Sequence, residues 1–78
     1  MWFHHETPQP ISEGASFCRS QRGYLVETAQ VIAIVPDTLG IPHVRFNLQI
    51  ASHSSVTVEQ RTLSLDSFAS AYRSPVYP

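Results

Sequence analysis

The sequence predicts one small, mostly β domain: an antiparallel SH3-like barrel, or a curved sheet, of about four to five strands with a short C-terminal helix. Three observations carry this. Val44, Phe46, Leu48 and Ile50 alternate strictly with Arg45, Asn47 and Gln49, the period of a strand with one face in a core and the other in water. Residues 25–35 form a long run rich in β-branched side chains. Near the C-terminus the period changes: Leu65, Phe68, Ala69 and Tyr72 fall at i, i+3, i+4 and i+7, one face of a helix.

Taken in order, residues 1–14 read as a tail, because Pro8, Pro10, Ser12 and Gly14 break any period. The domain is expected over residues 15–73. Residues 15–20 suit a first short strand, and Ser20-Gln21-Arg22-Gly23 a polar turn. In the next strand the simple alternation puts Ile32 and Ile34 on one face, with Val31, Ala33 and Val35 on the other. A strand apolar on both faces is covered on both sides, which in so short a chain means strong curvature or a partner. Pro36-Asp37-Thr38-Leu39-Gly40-Ile41-Pro42 is the clearest turn signal: Pro36 presets φ, Asp37 can accept from nearby amides, and Gly40 can take a positive φ.

After the alternating strand, residues 52–55 turn the chain into a strand over residues 56–63. Placing Val56 and Val58 opposite the even-numbered apolar set requires paired residue numbers with an even sum. Of the two registers that satisfy this, the one setting Asn47 opposite Arg61 is expected over the one opposing Arg45 to Arg61, because like charges repel by up to about 1 kcal/mol. Ser64 is the expected N-cap of the helix, Asp66 suits its first turn and Arg73 its far end. Two turns are too few to persist alone in water, so Phe68 should anchor the helix to the sheet. Residues 74–78, with Pro75 and Pro78, read as a second tail.

Composition narrows the function classes. The chain has 78 residues, five arginines and no lysine, six acidic residues and a net charge of −1. A nucleic-acid or anionic-membrane binder would ordinarily carry a basic excess, so nucleic acid is not the expected partner, and no apolar run is long enough for a membrane helix. One cysteine, Cys18, cannot form an intrachain disulfide, and no paired cysteines offer thiolates to zinc. Met1-Trp2-Phe3 is too short and unpreceded by positive charge for a secretory signal, leaving the cytoplasm as the expected location. A chain of this size often needs help to cover its core, so self-association as a homodimer is expected.

No constellation with defined chemistry is visible. Cys18 with His43 or His53 lacks an orienting third group, and reads as a small apolar strand residue. His4, His5 and Glu6 are adjacent on an extended segment, where neighbouring side chains diverge rather than converge on a metal. Asp37, Glu59 and Asp66 are dispersed, and no glycine-rich phosphate loop is present. The expectation is therefore a non-enzymatic module without cofactor or metal that binds protein as an adaptor or regulator; a small nucleic-acid-binding barrel is the alternative. The binding candidates are Arg19 and Arg22 beside Tyr24, Arg45 and Arg61 on the outer face of the second hairpin, and the aromatic pair Trp2 and Phe3.

Overall fold

The computed structural model describes residues 10–21 and 25–77. They form strands β1 (Ser16–Gln21), β2 (Leu25–Pro36), β3 (Pro42–Ala51) and β4 (Val56–Ser64), helix α1 (Leu65–Ala71) and strand β5 (Ser74–Val76). Short connections make β1 to β4 an antiparallel meander. The chain then passes through α1 and returns to place β5 beside β1, giving one five-stranded sheet in the order β4-β3-β2-β1-β5. The sheet is not closed into a barrel; β4 and β5 are its edges. Among the described residues no helix is long and apolar enough to cross a membrane.

The core lies on one face of this sheet. Val44, Phe46 and Leu48, the even-numbered set of β3, are fully buried, with Ala29 and Val31 of β2 and Phe17 of β1 beside them. The expected alternation thus holds: Arg45, Asn47 and Gln49 are exposed. Phe68 anchors α1. Its ring centroid lies 5.0 Å from that of Phe46 and 5.7 Å from that of Phe17, both edge-on, and 5.2 Å from that of Tyr72. Edge-to-face pairs of this kind contribute about 0.5–1.5 kcal/mol each beyond the area they bury. Ser64 caps the helix as expected: its hydroxyl oxygen accepts from the Ser67 N–H at 3.2 Å, satisfying one of the unpaired donors of the first turn. Tyr72, the C-cap, is buried, but Ala69 is exposed and Arg73 falls beyond the last turn.

The β2–β3 turn follows its residues closely. Asp37 Oδ1 accepts from the Leu39 N–H at 2.8 Å and the Ile41 N–H at 2.9 Å, while Gly40 sits at φ +80°, a conformation only glycine adopts without strain.

Three features differ from the sequence reading. A β-bulge interrupts β2 between Val31 and Ala33, so the pairing changes from Val31↔Phe46 to Ala33↔Arg45. The extra residue, Ile32, shifts the alternation by one, and Val31 and Ile34 share the core-side face instead of lying on opposite faces. In the second hairpin the loop has four residues, 52–55, and the register is Ala51↔Val56 through His43↔Ser64. Every pair has an odd sum, so Phe46 faces Arg61, Arg45 faces Thr62, and Asn47 faces Gln60. Val56 and Val58, expected in the core, point to the other face at 60% and 66% exposure. Leu63, opposite Val44, is the apolar contribution of β4 to the core. Finally, residues 74–76, read as part of a tail, pair with β1 as Ser16↔Val76, Phe17↔Pro75 and Cys18↔Ser74.

Candidate functional site

With α1 and the aromatic core on one face, the opposite face of the sheet is left open. Cross-strand partners share a face, so its rungs follow from the register. One runs Val76, Ser16, Gln30, Asn47, Gln60; the next runs Ser74, Cys18, Thr28, Gln49, Val58. Ser20, Val26, Ala51 and Val56 form a third, and beyond the bulge come Ala33, Arg45 and Thr62. About half of these side chains are hydroxyls and amides, and the rest are mostly valines and alanines. Arg45 is the one residue of permanent charge among them. A shallow trough of about 300 Å³ lies over the middle rungs, lined by Ser16, Thr28, Gln30, Asn47, Gln49 and Val58. Exposed valines border it: Val26, Val56, Val58 and Val76.

The two sheet edges are not equivalent. Ser52 donates its N–H to the Ser55 carbonyl at 2.8 Å, which marks that pair as hydrogen-bonded. Such pairs alternate along an antiparallel ladder, so Ile50↔Thr57, Leu48↔Glu59, Phe46↔Arg61 and Val44↔Leu63 are the bonded pairs of β3 and β4. The odd-numbered residues of β4 therefore direct their backbone groups at β3, and Val56, Val58, Gln60 and Thr62 direct theirs outward. At the opposite edge, Val31 donates to the Ala15 carbonyl at 2.8 Å, so odd-numbered β1 residues bond to β2, and Ser16 and Cys18 bond to β5. That leaves Pro75 as the β5 residue whose backbone faces outward, and proline has no N–H to offer. β5 thus blocks the first edge over residues 16–18 of β1, leaving Ser20 beyond it, whereas among the described residues nothing pairs with the nine-residue β4 edge.

On the core side sits a polar group that the sequence did not reveal. Glu27 is 6% exposed; its Oε1 accepts from the Tyr72 hydroxyl at 3.0 Å and from Arg19 Nη2 at 3.2 Å. The Arg19 guanidinium also lies 4.8 Å from the centre of the Tyr72 ring. Burial first, then the hydrogen bond to Glu27 and its charge, push the Tyr72 phenol above its ordinary pKa. Satisfied on two sides, the carboxylate ties the end of α1 to β1 and β2. Arg19↔Glu27 adjacency was implicit in a β1–β2 hairpin; Tyr72, 45 residues further along, carries no local signal of the contact.

The expected arginine surface is divided. Arg19 is engaged by Glu27 and the Tyr72 ring. Arg61 lies on the core-side face of β4, ion-paired with Glu59, whereas Arg45 lies on the open face, so the hairpin does not present Arg45 and Arg61 together. Arg22, Tyr24, Trp2 and Phe3 lie outside the described residues, as do His4, His5 and Glu6. Cys18 is level with Gln49 in the ladder, which puts His43 six residues further along β3, roughly 20 Å away at strand rise. His43 instead engages the Ile41 carbonyl at 3.0 Å and sits 3.8 Å from Asp37. The Ile41 amide above all, helped by the Leu39 amide and then by His43, holds the Asp37 carboxyl below its ordinary pKa against desolvation, which raises it. Among the described residues no three His, Cys, Asp or Glu side chains cluster as metal ligands would.

Chemically, the open face can donate and accept hydrogen bonds through amides and hydroxyls and can bury small aliphatic groups; the β4 edge can add a strand. Comparison with protein-family models, with characterised proteins and with solved structures finds no match to this chain.

Proposed function

We propose that this chain is a small β-sheet protein-interaction module, an adaptor or regulator, that acts by binding protein and not by catalysis. The observation that carries the reading is the charge-poor open face beside an unblocked edge strand. Interface centres are depleted of charged residues relative to ordinary protein surface, and a solvated sheet face usually carries many. Among the described residues the acidic groups and every arginine but Arg45 lie in the turns or on the helix-bearing side, while amides, hydroxyls and exposed valines occupy the face. The nucleic-acid alternative is weaker. Single-strand binders combine a basic groove with aromatic side chains on which bases stack; of the described aromatics Phe17, Phe46, Phe68 and Tyr72 are spent in the core and Tyr77 is exposed, while Arg45 is the open face's one arginine. A reducing, cytoplasmic setting suits an unpaired cysteine such as Cys18, and closure into an SH3-like barrel is not needed for the function.

The test is quantitative affinity capture from cells with three baits: the wild-type chain, an Asn47→Asp, Gln49→Asp variant, and an Asp66→Ala variant on the exposed side of α1. The expected result is a set of proteins enriched by the wild type and by Asp66→Ala and lost with the open-face variant. Equal enrichment by all three baits, or salt-sensitive nucleic acid in place of protein, would refute the reading.

A further inference from the structure

We propose that β4 pairs with β4 of a second copy of this chain, antiparallel and centred on Gln60, to make one continuous ten-stranded sheet. This deepens the protein-binding reading and rests on it, by naming a partner for one part of the surface.

The two edges of the sheet differ in how they are protected. An exposed strand edge is a template for another strand, and proteins ordinarily blunt it with proline, brevity or cover. The β5 edge has all the marks of protection: it is three residues long and turns Pro75 outward. The β4 edge spans nine residues, contains no proline and turns out the amides and carbonyls of Val56, Val58, Gln60 and Thr62. Among the described residues neither α1 nor a loop covers its middle, and Glu59 and Arg61 retain roughly half of their side-chain exposure.

Charge then selects the register. Outward-facing groups lie on even-numbered residues, so bonded pairs across a two-fold axis must join even to even. An axis at Glu59 or at Arg61 would set two like charges directly opposite each other, which is unfavourable. An axis at Val58 pairs Glu59 with Thr57, and one at Thr62 pairs Arg61 with Leu63, so neither matches the charges. With the axis at Gln60, Glu59 faces Arg61 of the second copy, and Arg61 faces Glu59 of the second copy. These are non-bonded pairs, the positions where side chains approach most closely. Each copy already joins its own Arg61 to Glu59, so the four charges form a square of alternating sign. Gln60 is also the midpoint of Val56–Ser64, so this register overlaps the strands completely, with Val58 opposite Thr62 and Val56 opposite Ser64. Charges on an edge strand commonly discourage pairing; at alternate positions and of opposite sign, they specify it.

Sedimentation equilibrium on the full chain and four variants decides the matter. The wild type should dimerise at micromolar concentration. Gln60→Pro should be monomeric with an unchanged far-ultraviolet spectrum, because the N–H it removes faces outward and not toward β3. Glu59→Arg or Arg61→Glu alone should weaken the dimer at least about tenfold, since each converts two attractive pairs to repulsive ones. The double exchange Glu59→Arg, Arg61→Glu should recover most of that loss, which mere disturbance of the edge would not produce. A monomeric wild type, a dimer unaffected by Gln60→Pro, or single variants not rescued by the exchange would overturn the proposal. The capture experiment reads the open face separately: an enriched set lost with Asn47→Asp, Gln49→Asp but kept with Gln60→Pro leaves the protein-binding reading intact even if self-pairing fails.

Discussion

Replacing Tyr72 by Phe removes one oxygen from the centre of the molecule and isolates one interaction. The ring keeps its contacts, at 5.6 Å from Phe46 and 5.2 Å from Phe68, and Arg19 still stacks over it. What is lost is the hydroxyl donor to Glu27, a carboxylate that is 6% exposed and among the described residues holds one other hydrogen-bond partner, Arg19. A hydrogen bond to a charged group contributes about 1.5–3 kcal/mol, and a buried acceptor left short of a donor forfeits it in full. For a domain this small each kcal/mol corresponds to roughly 4–8 °C in Tm, so Tyr72→Phe should melt at least about 6 °C lower. The pH dependence gives a second readout. The phenol pKa is raised by burial and by Glu27, so its contribution to stability is complete below the ordinary tyrosine value of about 10 and is lost as pH climbs through the folded value. The gap between wild type and Tyr72→Phe in urea denaturation should therefore be widest near neutrality and narrow above about pH 10. A difference below about 0.5 kcal/mol, the range of an inert surface change, or a gap that does not narrow at high pH, would refute the account of this group.

Other expectations follow from the same packing. Phe46→Ala, at a residue with no exposure, should cost about 3–5 kcal/mol and leave little folded protein by circular dichroism, whereas Gln49→Ala should shift stability by less than about 0.5 kcal/mol. Val58→Thr should be equally mild in denaturant, because that side chain is 66% exposed; a core-like loss would mean the β4 register is wrong. Asp37 should titrate by NMR below the ordinary aspartate value of about 3.9, its stabilising effect present above that pH and lost as the pH falls through the folded value.

Where local rules decide, the sequence could be read directly. The alternation in β3, the cap at Ser64, the turn at Asp37 and Gly40, and the anchoring Phe68 each depend on a few adjacent residues. The misreadings share another cause. Val56 and Val58 look like core strand residues, and only the helix, which supplies Phe68 and Tyr72 to the core, removes the need for them there. The odd-numbered Leu63 was the available signal for the true register of β4. A bulge in a run apolar on both faces leaves no mark in periodicity, so the switch at Ile32 was invisible. Strand β5 is three residues long and contains proline, and it exists only because β1 offers an edge. For the candidate surface, the individual arginines could be picked out, but whether they share a face depended on a register that a one-residue change inverts.

The sheet carries its core on one side and leaves its other side, with the β4 edge, for a partner. Residue-resolved amide hydrogen exchange along β4, in the chain diluted well below its association range, tests that claim most directly. The predicted result is alternation: Thr57, Glu59, Arg61 and Leu63 protected by bonds to β3, and Val58, Gln60 and Thr62 exchanging freely. Uniform protection of all seven amides at every dilution, or protection in the opposite phase, would mean that the edge is closed or the register inverted, and would contradict it.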